Sequence, residues 1–239
     1  MSKLKVFLAI ILLSIFTGVT AQENYTEQGK QKLRDRELGE AIALFSQALK
    51  ENPRDTAALS GIIRAHLLNE NTKEAQKHID LAIKEFPNNP EFHLRRGIMN
   101  NLRGQYRRAI DDFNKALELS TSKVDNQIYI NRGMAFMQYE SYSEAVEDFT
   151  EVLNSNPRNS IALNYRAFAH YRSGNFIESI NDYNKAIDLN PDNQMSYYNR
   201  GMAHLRAGDK AKACTDFHQA CSKGNVTACR MIMVECGGR

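Results

Sequence analysis

At 239 residues the chain can hold one large domain or two small ones, and its charge is nearly balanced, with 31 Lys and Arg against 28 Asp and Glu for a formal net charge of +3. There is no basic block and no run alternating lysine with aromatic residues, so the electrostatic footprint of a nucleic-acid binder is missing. An apolar fraction of 42% beside 25% charged residues is that of an ordinary water-soluble chain.

The first segment is set apart. Lys3 and Lys5 make a charged start, Val6 to Phe16 is an unbroken apolar and small run, and Val19-Thr20-Ala21 precedes Gln22 as a small-residue cleavage site. Residues 1–21 therefore read as a secretory signal peptide, and the mature chain is expected to be periplasmic or extracellular. The run is shorter than the roughly 20 apolar residues of a membrane span. Membrane contact is expected only through an uncleaved leader, and no cysteine near Ala21 offers a lipid site.

After the leader the chain repeats itself. Small residues at the start of every second helix fall at Ala41, Ala75, Ala109, Ala145, Ser179 and Ala213, at intervals of 34, 34, 36, 34 and 34. Four positions on stand Phe45, Ile79, Phe113, Phe149, Tyr183 and Phe217, and three beyond those Ala48, Ala82, Ala116, Val152, Ala186 and Ala220. Pro53, Pro87, Pro157 and Pro191 close four of the units, because proline cannot continue a helix. The stretch 126–159 shows the plan most clearly. Tyr129, Gly133 and Phe136 recur at helical spacing, a polar turn follows, and Ala145, Phe149 and Val152 share one face of a second helix. The units are expected at 22–55, 56–89, 90–125, 126–159, 160–193 and 194–222, with the two extra residues of the third in its Ser120 to Asp125 loop.

This period, with one residue type per phase, resembles the tetratricopeptide repeat family over residues 22–222. The resemblance implies an all-α, right-handed α-solenoid of about six helix-turn-helix units, with atypical units at its ends. Two departures stand out. The small residue of the first helix is Gly29, Gly97, Gly133, Ala167 and Gly201 but Ile63 in the second unit, which carries Gly61 two residues earlier and is expected to pack at a different angle. The fourth position holds Tyr25, Leu59, His93, Tyr129, Leu163 and Tyr197, and never tryptophan.

A charged ladder runs through the last four units. Arg96, Arg132, Arg166 and Arg200 each precede the small residue, and Asp112, Asp148, Asp182 and Asp216 each precede the second-helix aromatic. An arginine could reach an aspartate of its own unit or of the adjacent one. A structural ion-pair ladder is favoured over a functional row of charges.

The resemblance also implies an inner wall built from the first helices. Its inward positions in units four to six carry Ile130, Asn131, Met134, Met137, Ile161, Tyr165, Phe168, Tyr171, Met195, Tyr198, Asn199, Met202 and Leu205. Methionine and tyrosine are common on adaptable binding surfaces, and this wall suits an extended or helical apolar segment of a protein partner. The family's clamp for C-terminal carboxylates is incomplete. Asn131 and Asn199 match it, but Leu94, Ile98, Asn164 and Phe168 stand where its preceding fifth and ninth positions would be.

No cofactor, metal or catalytic centre is expected. His66, His170 and His204 share one phase and should pack between helices; His78, His93 and His218 complete the set without metal spacing to a carboxylate. Gly-rich phosphate loops and nucleophile elbows are absent from the sequence.

The cysteines close the chain at Cys214, Cys221, Cys229 and Cys236. Ser222 to Asn225 reads as a helix stop and a new N-cap, so Val226 to Glu235 should form an antiparallel capping helix within a 223–239 tail. Cys214 and Cys221, seven apart on one helix, are separated by about 10.5 Å along its axis, beyond disulfide reach. Across the hairpin, Cys221 with Cys229 and Cys214 with Cys236 are each centred on the same turn, so nested bridges are expected, in keeping with export. Reduced packing thiols and a four-cysteine metal site are the alternatives. The segment from Ala213 to Cys229 also resembles Sel1-like cysteine-rich repeats, over one hairpin only. The functional expectation is an exported, non-enzymatic scaffold gripping a partner segment. The alternatives are a self-assembling envelope component and, more weakly, a Sel1-like enzyme or small-molecule binder.

Overall fold

A computed structural model describes residues 25–121 and 126–237. The leader at 1–21 and most of the third unit's longer loop lie outside the described residues. Among those residues the chain is all-α. Helix α1 (25–34) is followed by α2 (Leu38–Glu51), α3 (Thr56–Leu68), α4 (Thr72–Glu85), α5 (Pro90–Leu102) and α6 (Tyr106–Leu119). Then come α7 (Asn126–Gln138), α8 (Tyr142–Ser155), α9 (Ser160–Arg172), α10 (Phe176–Leu189), α11 (Gln194–Arg206), α12 (Lys210–Ser222) and α13 (Val226–Glu235). By contact the chain forms two compact units. One holds residues up to Gln105 with Asn114–Ser120, and the other holds Tyr106–Phe113 with everything from Thr121 onward.

Local chemistry sets the helix starts. Asp55, Asn89, Asn159 and Asn193 each stand just ahead of a first helix, their side chains accepting hydrogen bonds from its opening amides. Pro90 follows Asn89 at the first helical position, where its missing N–H costs nothing. Between the helices of a pair the chain must pass through the left-handed region once. Gly104, Gly174 and Gly208 do so with φ of 71°, 83° and 87°, whereas Arg36, Glu70 and Glu140 occupy the same phase with φ of 61°, 55° and 63°. The turn geometry is thus conserved along the chain even where glycine is not supplied.

In the first of these two compact units, which spans the first repeats, the core gathers Phe45, Leu59, Ile62, Ile63, Ile79 and Phe92 around buried alanines. The ring of Phe45 fits where two helices lack side chains. A Cβ at Gly29 would come within 2.7 Å of that ring, and one at Gly61 within 2.3 Å. This accounts for the departure at Ile63. Its second-helix counterpart is Ile79, not an aromatic ring, so a branched residue is matched by a branched one and both are fully buried. Gly61, meanwhile, receives the ring from the preceding helix pair.

The second unit uses the regular solution. A Cβ at Gly133 would meet Phe149 at 2.8 Å, and one at Gly201 would meet Phe217 at 2.8 Å. Burying each phenyl ring is worth about 1.5–3 kcal/mol, so the glycines are space for the rings and not gaps in the helices. Helix α13 packs on α12, with Ala228 fully buried beside Phe217. Cys214 pairs with Cys236 and Cys221 with Cys229, at Cα separations of 5.7 and 4.9 Å, which is the nested arrangement expected from the hairpin. No helix among the described residues is long and apolar enough to cross a membrane, and none of their His, Cys, Asp and Glu side chains gather into a metal-binding group.

Candidate functional site

The charged ladder defines what the second unit's wall does not present. Arg132 donates from Nε and Nη2 to Asp148 at 2.9 and 2.6 Å, Arg166 to Asp182 at 2.7 and 2.9 Å, and Arg200 to Asp216 at 2.9 and 2.6 Å. Each fork closes on the aspartate of its own repeat. The remaining nitrogen of two of them crosses to the preceding repeat, Arg166 Nη1 donating to Thr150 Oγ1 at 3.0 Å and Arg200 Nη1 to Asn184 Oδ1 at 2.7 Å. The ladder is therefore structural twice over. It ties first helix to second and repeat to repeat. Burial pushes the Asp148 carboxyl above its usual range even though Arg132 opposes that shift. His170 and His204 lie beside the ladder, and burial lowers both imidazoles below their ordinary value.

With those cations turned inward, the surface of α7, α9 and α11 carries a concavity of about 540 Å³. Six of the expected wall residues line it: Met137, Ile161, Tyr165, Phe168, Met195 and Asn199. Gln138, Ser160, Asn164 and Asn193 join them, and no lining side chain is charged. Ile161 and Met195 are open to solvent at 55% and 50%. Asn164 is fixed from both ends, donating to Ser160 O at 2.7 Å and accepting from Ser196 Oγ at 2.6 Å. Asn193 caps α11 through the amides of Met195 and Ser196. The wall thus combines apolar bodies with held amide groups.

The other expected residues sit elsewhere on the same helices. Ile130 and Met134 are partly buried against the Phe149 core, and Tyr165, besides lining the hollow, stacks on Phe149 at 5.5 Å. Asn131 donates to Gln127 O of its own helix at 2.7 Å. Tyr171 lies against Phe168 and Phe176, at 6.3 and 5.9 Å between ring centroids. Tyr198, Met202 and Leu205 pack on the Phe217 core, with Tyr198 tilted against that ring at 6.0 Å. Sequence reasoning left Gln138, Ser160, Asn164 and Asn193 off the wall. Asn193 is the N-cap of α11 and Ser160 the first residue of α9, where polar residues read first as caps, and Asn164 reads only as a mismatch to the carboxylate clamp.

Comparison with known proteins agrees with this architecture. Profiles described as tetratricopeptide repeat or TPR repeat match residues 32–96, 130–182, 169–208 and 195–223. Among curated proteins, "Tetratricopeptide repeat protein 13" of Homo sapiens is 31% identical over 143 residues, covering 56% of this chain but 16% of that protein. The chain therefore spans about a sixth of that relative's length. Among solved structures, YrrB, described as a TPR protein with an unusual peptide-binding site, matches with a TM-score of 0.67 at 16% identity over 77% of this chain and 94% of YrrB. PilW, described as a widely conserved type IV pilus biogenesis factor, matches with a TM-score of 0.76 at 16% identity, over 83% and 91% of the two chains. At such identities the likeness carries the fold alone.

Proposed function

The chain is a tetratricopeptide repeat protein, a fold that serves generally as a protein–protein interaction scaffold, and from that premise we propose that it is an exported, non-catalytic scaffold holding a partner's apolar segment against α7, α9 and α11. One observation carries the reading. The uncharged hollow of about 540 Å³ keeps Ile161 and Met195 exposed although aliphatic side chains would gain about 25 cal/mol per Å² on being covered. Amides of Asn164 and Asn199 stand beside them, ready to orient a peptide backbone. Binding here is apolar burial on a preformed wall, so little ordering cost falls on the scaffold. Export is supported by the leader read at 1–21 and by two cysteine pairs, which are compatible with an oxidising compartment.

A selection from a random peptide library tests the reading. Enriched peptides should carry apolar and aromatic side chains, and Ile161→Asp with Met195→Asp should abolish their capture while leaving the helical circular dichroism unchanged. Enrichment that survives the double replacement would remove the groove from the account. Self-association is the second reading, favoured by Val226, Met233 and Val234, which are 65%, 67% and 75% exposed on α13. Light scattering across a concentration series separates the two, since a groove binder alone keeps a constant mass.

A further inference from the structure

We propose that the first unit carries a second binding site of different chemistry, a cationic hollow that takes a polypeptide segment bearing several acidic side chains. The hollow measures about 420 Å³ and is lined by Lys30, Leu33 and Arg34 of α1, Ala57, Ser60, Gly61 and Arg64 of α3, and Arg95 of α5. Four cations on the first helices of three successive repeats thus face one space.

The carboxylates near them do not use them up. Glu27 takes Lys30 at 2.6 Å, and Glu91 takes Arg95 through Nε at 2.8 Å while also accepting Ser60 Oγ at 2.7 Å. Arg34 donates only to the neutral Gln31 side chain, and Arg64, exposed, has no hydrogen bond or ion pair among the described residues. Two positive charges are left over, in a space where a buried guanidinium, Arg95 at 8% exposure, already holds a fixed orientation. Low-dielectric walls strengthen the field of such a cluster compared with the same charges on a flat surface.

The arrangement selects among anions. Packed helices lie about 8–10 Å apart axis to axis, so α1, α3 and α5 together span roughly 16–20 Å, a stretch that a chain can follow and a single small anion cannot span. A chain of acidic side chains at about 3.3 Å per residue can meet them in sequence. A terminal carboxylate is not the requirement, because no asparagine lines the hollow to complete a fork around one. Gly61 lines the hollow as backbone, and the side chain it lacks would collide with the Phe45 ring of the core.

Fluorescence anisotropy of a labelled, C-terminally amidated hexaglutamate peptide on the purified protein tests this. Hexaglutamate should bind, weaken as salt is raised, and exceed a hexaglutamine peptide by about tenfold or more. Arg64→Glu should lower its affinity about tenfold, whereas Arg158→Glu, an exposed reversal of equal charge in the second unit, should leave it within about twofold. Equal losses in the two variants would mean diffuse attraction and overturn the proposal, as would binding untouched by Arg64→Glu. Full displacement of the peptide by inorganic phosphate at constant ionic strength would assign the hollow to a compact anion and also overturn it. Ile161→Asp with Met195→Asp should leave hexaglutamate binding unchanged, so this site and the apolar groove fail separately.

Discussion

The two units fold the same hairpin and present opposite walls. In the second, Arg132, Arg166 and Arg200 stand one residue before the small position and are absorbed by buried aspartates, which leaves an uncharged groove. In the first, Arg64 stands one residue after that phase and Arg95 two before it, and both face the hollow. Each residue step turns a side chain about 100° around the helix. A shift of one position is therefore enough to move a guanidinium such as that of Arg64 from the seam between helices to the open wall. Surface chemistry in this fold is set by the phase of its charges more than by their number.

Several replacements would break or sharpen that contrast. The largest effect is expected from Arg132→Ala, which leaves the nearly buried Asp148 carboxylate without its fork and should cost about 3 kcal/mol in chemical unfolding. Arg64→Ala in the first unit should stay within about 0.5 kcal/mol, because it breaks no pair. If the two cost the same, the distinction between seam and wall cations is wrong.

Next comes packing. Gly61→Ala should destabilise by about 2 kcal/mol, since its Cβ would sit 2.3 Å from the Phe45 ring in a filled core. Gly39→Ala, on the same unit with open space around it, should be neutral or stabilising by about 0.5–1 kcal/mol. Smaller than the Gly61 effect, Glu140→Gly should raise stability by about 1 kcal/mol by giving the left-handed turn at φ 63° the residue it favours, as Gly174 does one repeat later. A thermal melt that drops for Glu140→Gly would show that the turn is held by something other than backbone sterics.

Acidification gives the mildest test. Burial lowers His66 and His78 in the first unit, whose rings stack 5.6 Å apart, and His170 and His204 in the second. A histidine whose folded value lies below its unfolded one binds protons more readily when unfolded. Its contribution is thus complete above about pH 6.5 and fades as the pH falls toward the folded value. Melting temperature should fall between pH 7.5 and 5, and His66→Gln with His78→Gln should flatten the part of that fall that belongs to the first unit. Asp148, raised by burial, acts in the opposite sense at lower pH, gaining stability as it protonates.

Much of the fold was legible beforehand because repetition makes each phase position visible six times. The Ala41-to-Ala213 and Phe45-to-Phe217 series give the helix seams, and the spacing of four cysteines around one turn gives their nested pairing. The groove was legible in part. Met137, Ile161, Tyr165, Phe168, Met195 and Asn199 share the hollow, while Met134, Met202 and Leu205 lie at phases found among them yet lean on the cores beneath. Phase fixes the direction of a Cβ, but the length and rotamer of the side chain decide whether its end rests on the core or faces the hollow.

By itself, then, the sequence determined the helical pairs, their small-against-aromatic seams and the covalent cap, because these follow from local spacing that any single unit can satisfy. Tertiary structure alone decided that Arg132, Arg166 and Arg200 close on the aspartates of their own repeats, that Gly61 makes room for Phe45, and that four scattered cations of the first unit face one space. Those outcomes depend on distances between helices, which no spacing along the chain contains.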